Sequence, residues 1–127
     1  MTRLSYALSA FAALMGASGV ALAAAAAHRG GGDLAQASAL FLIMHAAALL
    51  GLSALAAQAA RAGFRRALLI SGFGLGLAAC LFSADLAARG LAGGRLFPFA
   101  APIGGTGMIV FWLVIAGLSI CAALRRT

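Results

Sequence analysis

Four apolar stretches, near residues 4–27, 37–60, 67–88 and 103–124, take up most of a 127-residue chain. A helix needs roughly 20 mainly apolar residues to cross a hydrocarbon core about 30 Å thick, because each residue rises about 1.5 Å. Each stretch reaches that length and is closed by polar or helix-breaking residues: 28–33, 61–66, 89–95, and the terminal Arg125 and Arg126. A hydrophobic fraction of 65% and a mean hydropathy of +1.10 lie outside the range of soluble domains, so a bilayer is the expected solvent. The expected fold class is all-α, an integral membrane four-helix bundle forming one domain over residues 1–127. Connections this short make successive helices antiparallel.

Charge fixes the expected orientation. Nine arginines face two acids, Asp33 and Asp85, for a formal charge of +7. Six of the arginines (Arg3, Arg61, Arg65, Arg66, Arg125, Arg126) fall on the amino tail, second connection and carboxyl tail, against three (Arg29, Arg89, Arg95) on the first and third connections. Positively charged loops resist translocation, so both termini are expected on the cytoplasmic side. The arginines come one to three at a time between apolar runs, without a basic stripe of interleaved aromatics, and nucleic acid is not an expected partner. An alternative for the first stretch is a cleavable signal peptide, with Val20-Ala21-Leu22-Ala23 as the cleavage-like site. It ranks second, because the run exceeds the usual signal core and carries Gly16 and Gly19.

Lipid gives helices no hydrophobic reason to associate, so small residues that allow close backbone approach do much of the packing. Gly72 and Gly76 form a GxxxG spacing with Gly74 between them, and are expected to pack within the bundle or against a partner helix. Residues 97–105 are too rich in proline and glycine to start as a regular helix. Pro102 suits a first helical turn, where a missing N–H costs nothing, and the Phe-Pro-Phe piece before it is expected at the outer interface or folded back on the bundle. Trp112 lies well inside the fourth stretch, so its indole N–H needs a protein partner. Cys80 and Cys121 lack CxxC spacing and read as buried free thiols.

Ionisable side chains in lipid are costly, which makes each a functional candidate. With the termini inside, His28, His45, Ser83, Asp85 and Arg89 all fall in the outer half of the bundle, and the inner half is nearly featureless. His45 is the deepest. It reads as a neutral imidazole bonded to a neighbouring backbone carbonyl or hydroxyl, with metal ligation or proton relay as the sharper alternatives. Asp85 and Arg89 stand one helical turn apart and are expected to pair on one face. His28 and Arg29, beside Gly30 to Gly32, are expected at the wet surface. Met44, Met108 and Cys80 are soft atoms, but no spacing unites them, so no metal or other cofactor is expected.

His28 closing the first helix, Met44-His45-Ala46 in the second, Leu81-Phe82-Ser83 in the third, and Ala101-Pro102-Ile103-Gly104-Gly105 followed by Trp112 in the fourth together resemble the YgdD/YwdK-like family of small four-helix membrane proteins, the domain-of-unknown-function family 423. The resemblance spans nearly the whole chain and rests most on the Ala-Pro-Ile-Gly-Gly run with Trp112. It strengthens the expected topology and lends no biochemical activity; Pro102, Gly104, Gly105 and Trp112 are expected to serve helix packing in the fourth segment, and a multi-pass position in a bacterial inner (cytoplasmic) membrane is the expected location. Asp85 departs from the resemblance, since the family tends to have small or apolar residues there, as does the alanine tract of residues 23–27.

Function is therefore read from what surrounds the helices. No catalytic triad, metal motif or nucleotide loop is present, and an enzyme is not expected. The favoured expectation is an accessory or assembly subunit packing against a larger membrane complex or against itself, with the lipid bilayer as a constant partner. The alternative is a small oligomeric transporter or channel that uses the outer polar residues.

Overall fold

The computed structural model describes residues 1–30 and 32–125. Gly31 of the glycine connection and Arg126 of the carboxyl-terminal pair lie outside the described residues. Four helices follow one another: α1 (Arg3–Arg29), α2 (Gly32–Gln58), α3 (Ala62–Leu91) and α4 (Ala100–Leu124), with no strand among the described residues. All four are long and apolar enough to cross a membrane, and they pack against one another as the four-helix bundle expected of a multi-pass membrane protein.

The helices outrun their apolar stretches. At 25 to 30 residues they are about 37 to 45 Å long, against a hydrocarbon core of about 30 Å. Arg29, Arg65, Arg66 and Arg89 are thus helical residues rather than loop residues, placed where long side chains can reach headgroups. Thr2 caps α1, its Oγ1 accepting from the Ser5 N–H at 3.2 Å. Gly30 ends α1 at φ +68°, a left-handed turn that glycine adopts without steric cost.

Helices α1, α2 and α3 touch mutually, whereas α4 comes into close backbone contact only with α3. The core accordingly sits among the first three helices, where Leu8, Leu49, Leu68 and Leu75 are fully buried. In α4 the buried residues are Ala100, Ala101, Gly104, Met108 and Ile115, a narrow seam at nearly the 3.5-residue spacing of coiled coils. Ile103, Ile109, Leu113 and Ile120 face outward, where only lipid or another apolar helix is a suitable neighbour.

The glycines serve different contacts. A Cβ on Gly104 would lie 2.6 Å from the Phe82 backbone nitrogen and 2.8 Å from the Ala78 carbonyl oxygen, so α4 meets the α3 backbone directly there. Gly72 receives Leu8 of α1, Gly76 receives Phe11 of α1 and Leu49 of α2, and Gly74 on another side of α3 receives the Phe111 ring of α4. Gly105 is not crowded, its nearest neighbour being the Phe82 ring at 3.7 Å.

The bundle end with the termini is not featureless. Ser53 of α2 donates to the Ser5 carbonyl at 2.9 Å and bonds the Ser9 hydroxyl at 2.8 Å, tying α2 to α1. Serine is small enough to hide in an apolar run, and its hydroxyl finds a partner only once the helices are apposed. Cys121 also differs from expectation. It is exposed on the outer side of α4, while Cys80 is half-buried; both are free.

Candidate functional site

Four of the polar candidates, His28, Ser83, Asp85 and Arg89, lie toward the end that carries the α1–α2 and α3–α4 connections. His45, expected in the outer half, stands instead at the midpoint of α2, because that helix begins at Gly32 rather than near residue 37. The five do not form one constellation. His28 is exposed in the last turn of α1 beside Arg29, where the negative end of the helix dipole favours basic groups. The other four divide between an imidazole–indole contact, a carboxylate that holds a loop, and a serine pair.

His45 is 7% exposed, and its two ring nitrogens face different partners. Nδ1 lies 2.8 Å from the Phe41 carbonyl oxygen one turn earlier, and the Trp112 indole N–H of α4 points to Nε2 at 3.4 Å. A carbonyl only accepts and an indole only donates, so this pairing requires a neutral ring that donates from Nδ1 and accepts at Nε2. Phe41 stacks on His45 with ring centroids 5.9 Å apart, and Phe82 of α3 meets Phe41 edge-on at 4.8 Å. The aromatic set thus links α2, α3 and α4 at a depth where α4 and α2 have no close backbone contact. A metal at Nε2 would have to displace Trp112. Met44 is exposed, and among the described residues no three of His, Cys, Asp and Glu come together.

Asp85 is 1% exposed near the end of α3. Its Oδ1 accepts from the Leu96 backbone N–H at 2.9 Å, and its Oδ2 stands 3.9 Å from Nη1 of Arg89. The i to i+4 pair is present, but the closer partner is the amide eleven residues later. That bond draws the 92–99 connection over the end of α3. The Ala100 N–H then bonds the Phe97 carbonyl at 3.3 Å, and the chain enters α4 through Phe99 at φ +69°, a left-handed backbone that is strained for a bulky residue. Pro102 follows in the first turn of α4. A cavity of about 460 Å³ lies between the end of α3, this connection and the start of α4, with Arg89 and Arg95 among its lining residues.

The Ser83 carbonyl accepts from the Ser38 hydroxyl of α2, while its own hydroxyl is buried and has no partner. Ser18 and Ser119, by contrast, bond the carbonyl one turn back in their own helices. Ser18, Ser38 and Ser83 share the lining of a second cavity, about 320 Å³, between α1, α2 and α3.

Sequence reasoning missed Phe41, Arg95 and the Leu96 amide. Nothing marks Phe41 in an apolar run. Arg95 could have been found from its six-residue separation from Arg89 across a glycine-rich turn, a spacing that allows two arginines to meet over one helix end. No family model, curated protein or solved structure matches this chain.

Proposed function

We propose that this protein is a small accessory or assembly subunit of the bacterial inner membrane that packs against a larger membrane complex. The observation that carries the reading is α4: a span of high hydropathy in close backbone contact with one helix only, its buried seam confined to one edge. Its free surface includes Gly117, where an added Cβ would meet nothing, leaving room for close approach by a helix from elsewhere. The buried ionisable side chains support the same reading, since His45 and Asp85 spend their hydrogen bonds on holding α2, α3, α4 and a loop together. Membership of the YgdD/YwdK-like family and cytoplasmic termini belong to this proposal, as does the absence of enzymatic activity.

Gentle extraction from native membranes with crosslinking and mass spectrometry tests it. A stoichiometric larger complex, with crosslinks on the outer side of α4, is the expected result. Recovery as a homogeneous assembly of this chain alone would defeat the reading. The transport alternative has the buried Asp85 beside a cavity in its favour; if it holds, Asp85→Asn or His45→Ala abolishes flux in vesicles.

A further inference from the structure

The cavity at the α3–α4 connection combines two guanidinium groups with an apolar wall. Its volume of about 460 Å³ falls within the roughly 300–1,000 Å³ of small-ligand pockets. Arg89, Arg95, Asp85 and Thr106 supply the polar lining, and Phe82 and Phe99 belong to the apolar part. Two formal positive charges therefore face one negative charge. Asp85 satisfies Oδ1 with the Leu96 amide, and its 3.9 Å separation from Arg89 is longer than a hydrogen bond. Among the described residues neither arginine donates a hydrogen bond to protein, so the Arg95 guanidinium and the donors of Arg89 other than Nη1, which pairs with Asp85, remain for a ligand.

Paired guanidinium forks match the geometry of phosphate oxygens, and they repel a cation. The start of α4 adds the positive end of a helix dipole on the same side. The depth of the cavity points to the rest of the ligand. Leu96, Phe97 and Phe99 are exposed on the same connection, at 49%, 44% and 68%, and apolar side chains next to arginines mark the boundary between acyl chains and headgroups. A soluble anion would leave the aromatic wall unmatched, whereas an amphiphile fits both halves.

We propose that this cavity seats the phosphate-bearing headgroup of one anionic membrane lipid, with Arg95 and Arg89 on the phosphate and the acyl chains beside α3 and α4. The site is separate from the free side of α4 and does not depend on the accessory-subunit reading.

The test uses the full chain in non-ionic detergent, where no charged membrane surface contributes, titrated with phosphatidylglycerol or phosphatidylcholine and read by native mass spectrometry. One saturable phosphatidylglycerol per chain is expected, about tenfold tighter than phosphatidylcholine. Arg95→Gln removes about tenfold, the loss of roughly one charge-assisted hydrogen bond. Arg29→Gln, an arginine at the same end of the bundle but outside the cavity, changes binding by less than about twofold on the same reasoning. Arg95 is exposed and holds no other element in place, so an unchanged Trp112 emission spectrum verifies the fold of that variant. Equal binding of the two lipids would overturn the proposal. So would equal losses in Arg95→Gln and Arg29→Gln, or displacement of the lipid by millimolar inorganic phosphate, which would make the occupant a soluble anion.

Discussion

Adjacent glycines in α4 provide a strict test of how the last helix is held. In Gly104→Ala the new methyl would sit 2.6 Å from the Phe82 nitrogen, 2.8 Å from the Ala78 oxygen and 2.9 Å from the Phe82 Cα. Comfortable carbon contacts lie near 3.5–4.0 Å, so α4 must retreat by about 1 Å, because backbone cannot rotate aside as a side chain can. A gap of about 0.5–1 Å forfeits a quarter to a half of each dispersion contact along the seam of Ala101, Met108 and Ile115. Overpacking of this kind costs about 1–3 kcal/mol, offset by up to about 1 kcal/mol from alanine's better helix propensity. A net destabilisation of about 1–2 kcal/mol follows. In Gly105→Ala the methyl meets only the Phe82 ring at 3.7 Å, an ordinary contact, and the expected change runs from zero to about 1 kcal/mol of stabilisation. Denaturation in mixed micelles, followed by emission of Trp112, the only tryptophan, reports on α4 directly. If the two variants unfold at the same denaturant activity, close backbone contact at Gly104 does not hold α4, and the argument fails.

Three further outcomes are expected. Ser53→Ala breaks both bonds between α1 and α2 at the terminal end and lowers stability by about 1 kcal/mol, at about 0.6 kcal/mol per membrane hydrogen bond, in the same denaturation assay. Asp85→Ala frees the Leu96 amide and raises its hydrogen exchange at least about tenfold, the equivalent of roughly 1.4 kcal/mol, whereas Asp85→Asn retains an acceptor oxygen and keeps most of the protection. His45→Leu removes the acceptor facing the Trp112 indole, costs about 1 kcal/mol and shifts the tryptophan emission maximum; an unchanged spectrum would show that the 3.4 Å contact contributes nothing.

The spans were legible because each apolar run is long enough to cross a bilayer by itself, and recognising it requires no knowledge of its neighbours. The arrangement of the helices was not, since alanine and leucine surround all four, and nothing in the chain announces that α4 makes close backbone contact with α3 alone. Gly104 and Gly105 look equivalent in sequence; only their angular position about α4 separates a backbone contact from a side-chain one. The same limit applies to the polar residues. Asp85 and Arg89 were visible as a one-turn pair, but the closer partner of the carboxylate is an amide that contacts it only after the connection folds back. Trp112 advertised its need for an acceptor without naming His45. The serines linking α1 and α2 were invisible because serine carries neither charge nor bulk.

The position of α4 also bears on biogenesis. Every helix after the first packs extensively on its immediate predecessor in the chain. As the chain is synthesised and inserted, each new span thus enters the bilayer with its main docking surface already there, and none must wait for a distant segment. Leu8, Leu49, Leu68 and Leu75 all precede α4, so a three-helix nucleus can close before the last span arrives. The final helix is then an addition to a finished unit, held by its narrow seam on α3, closest at Gly104, and by a single indole–imidazole bond to α2.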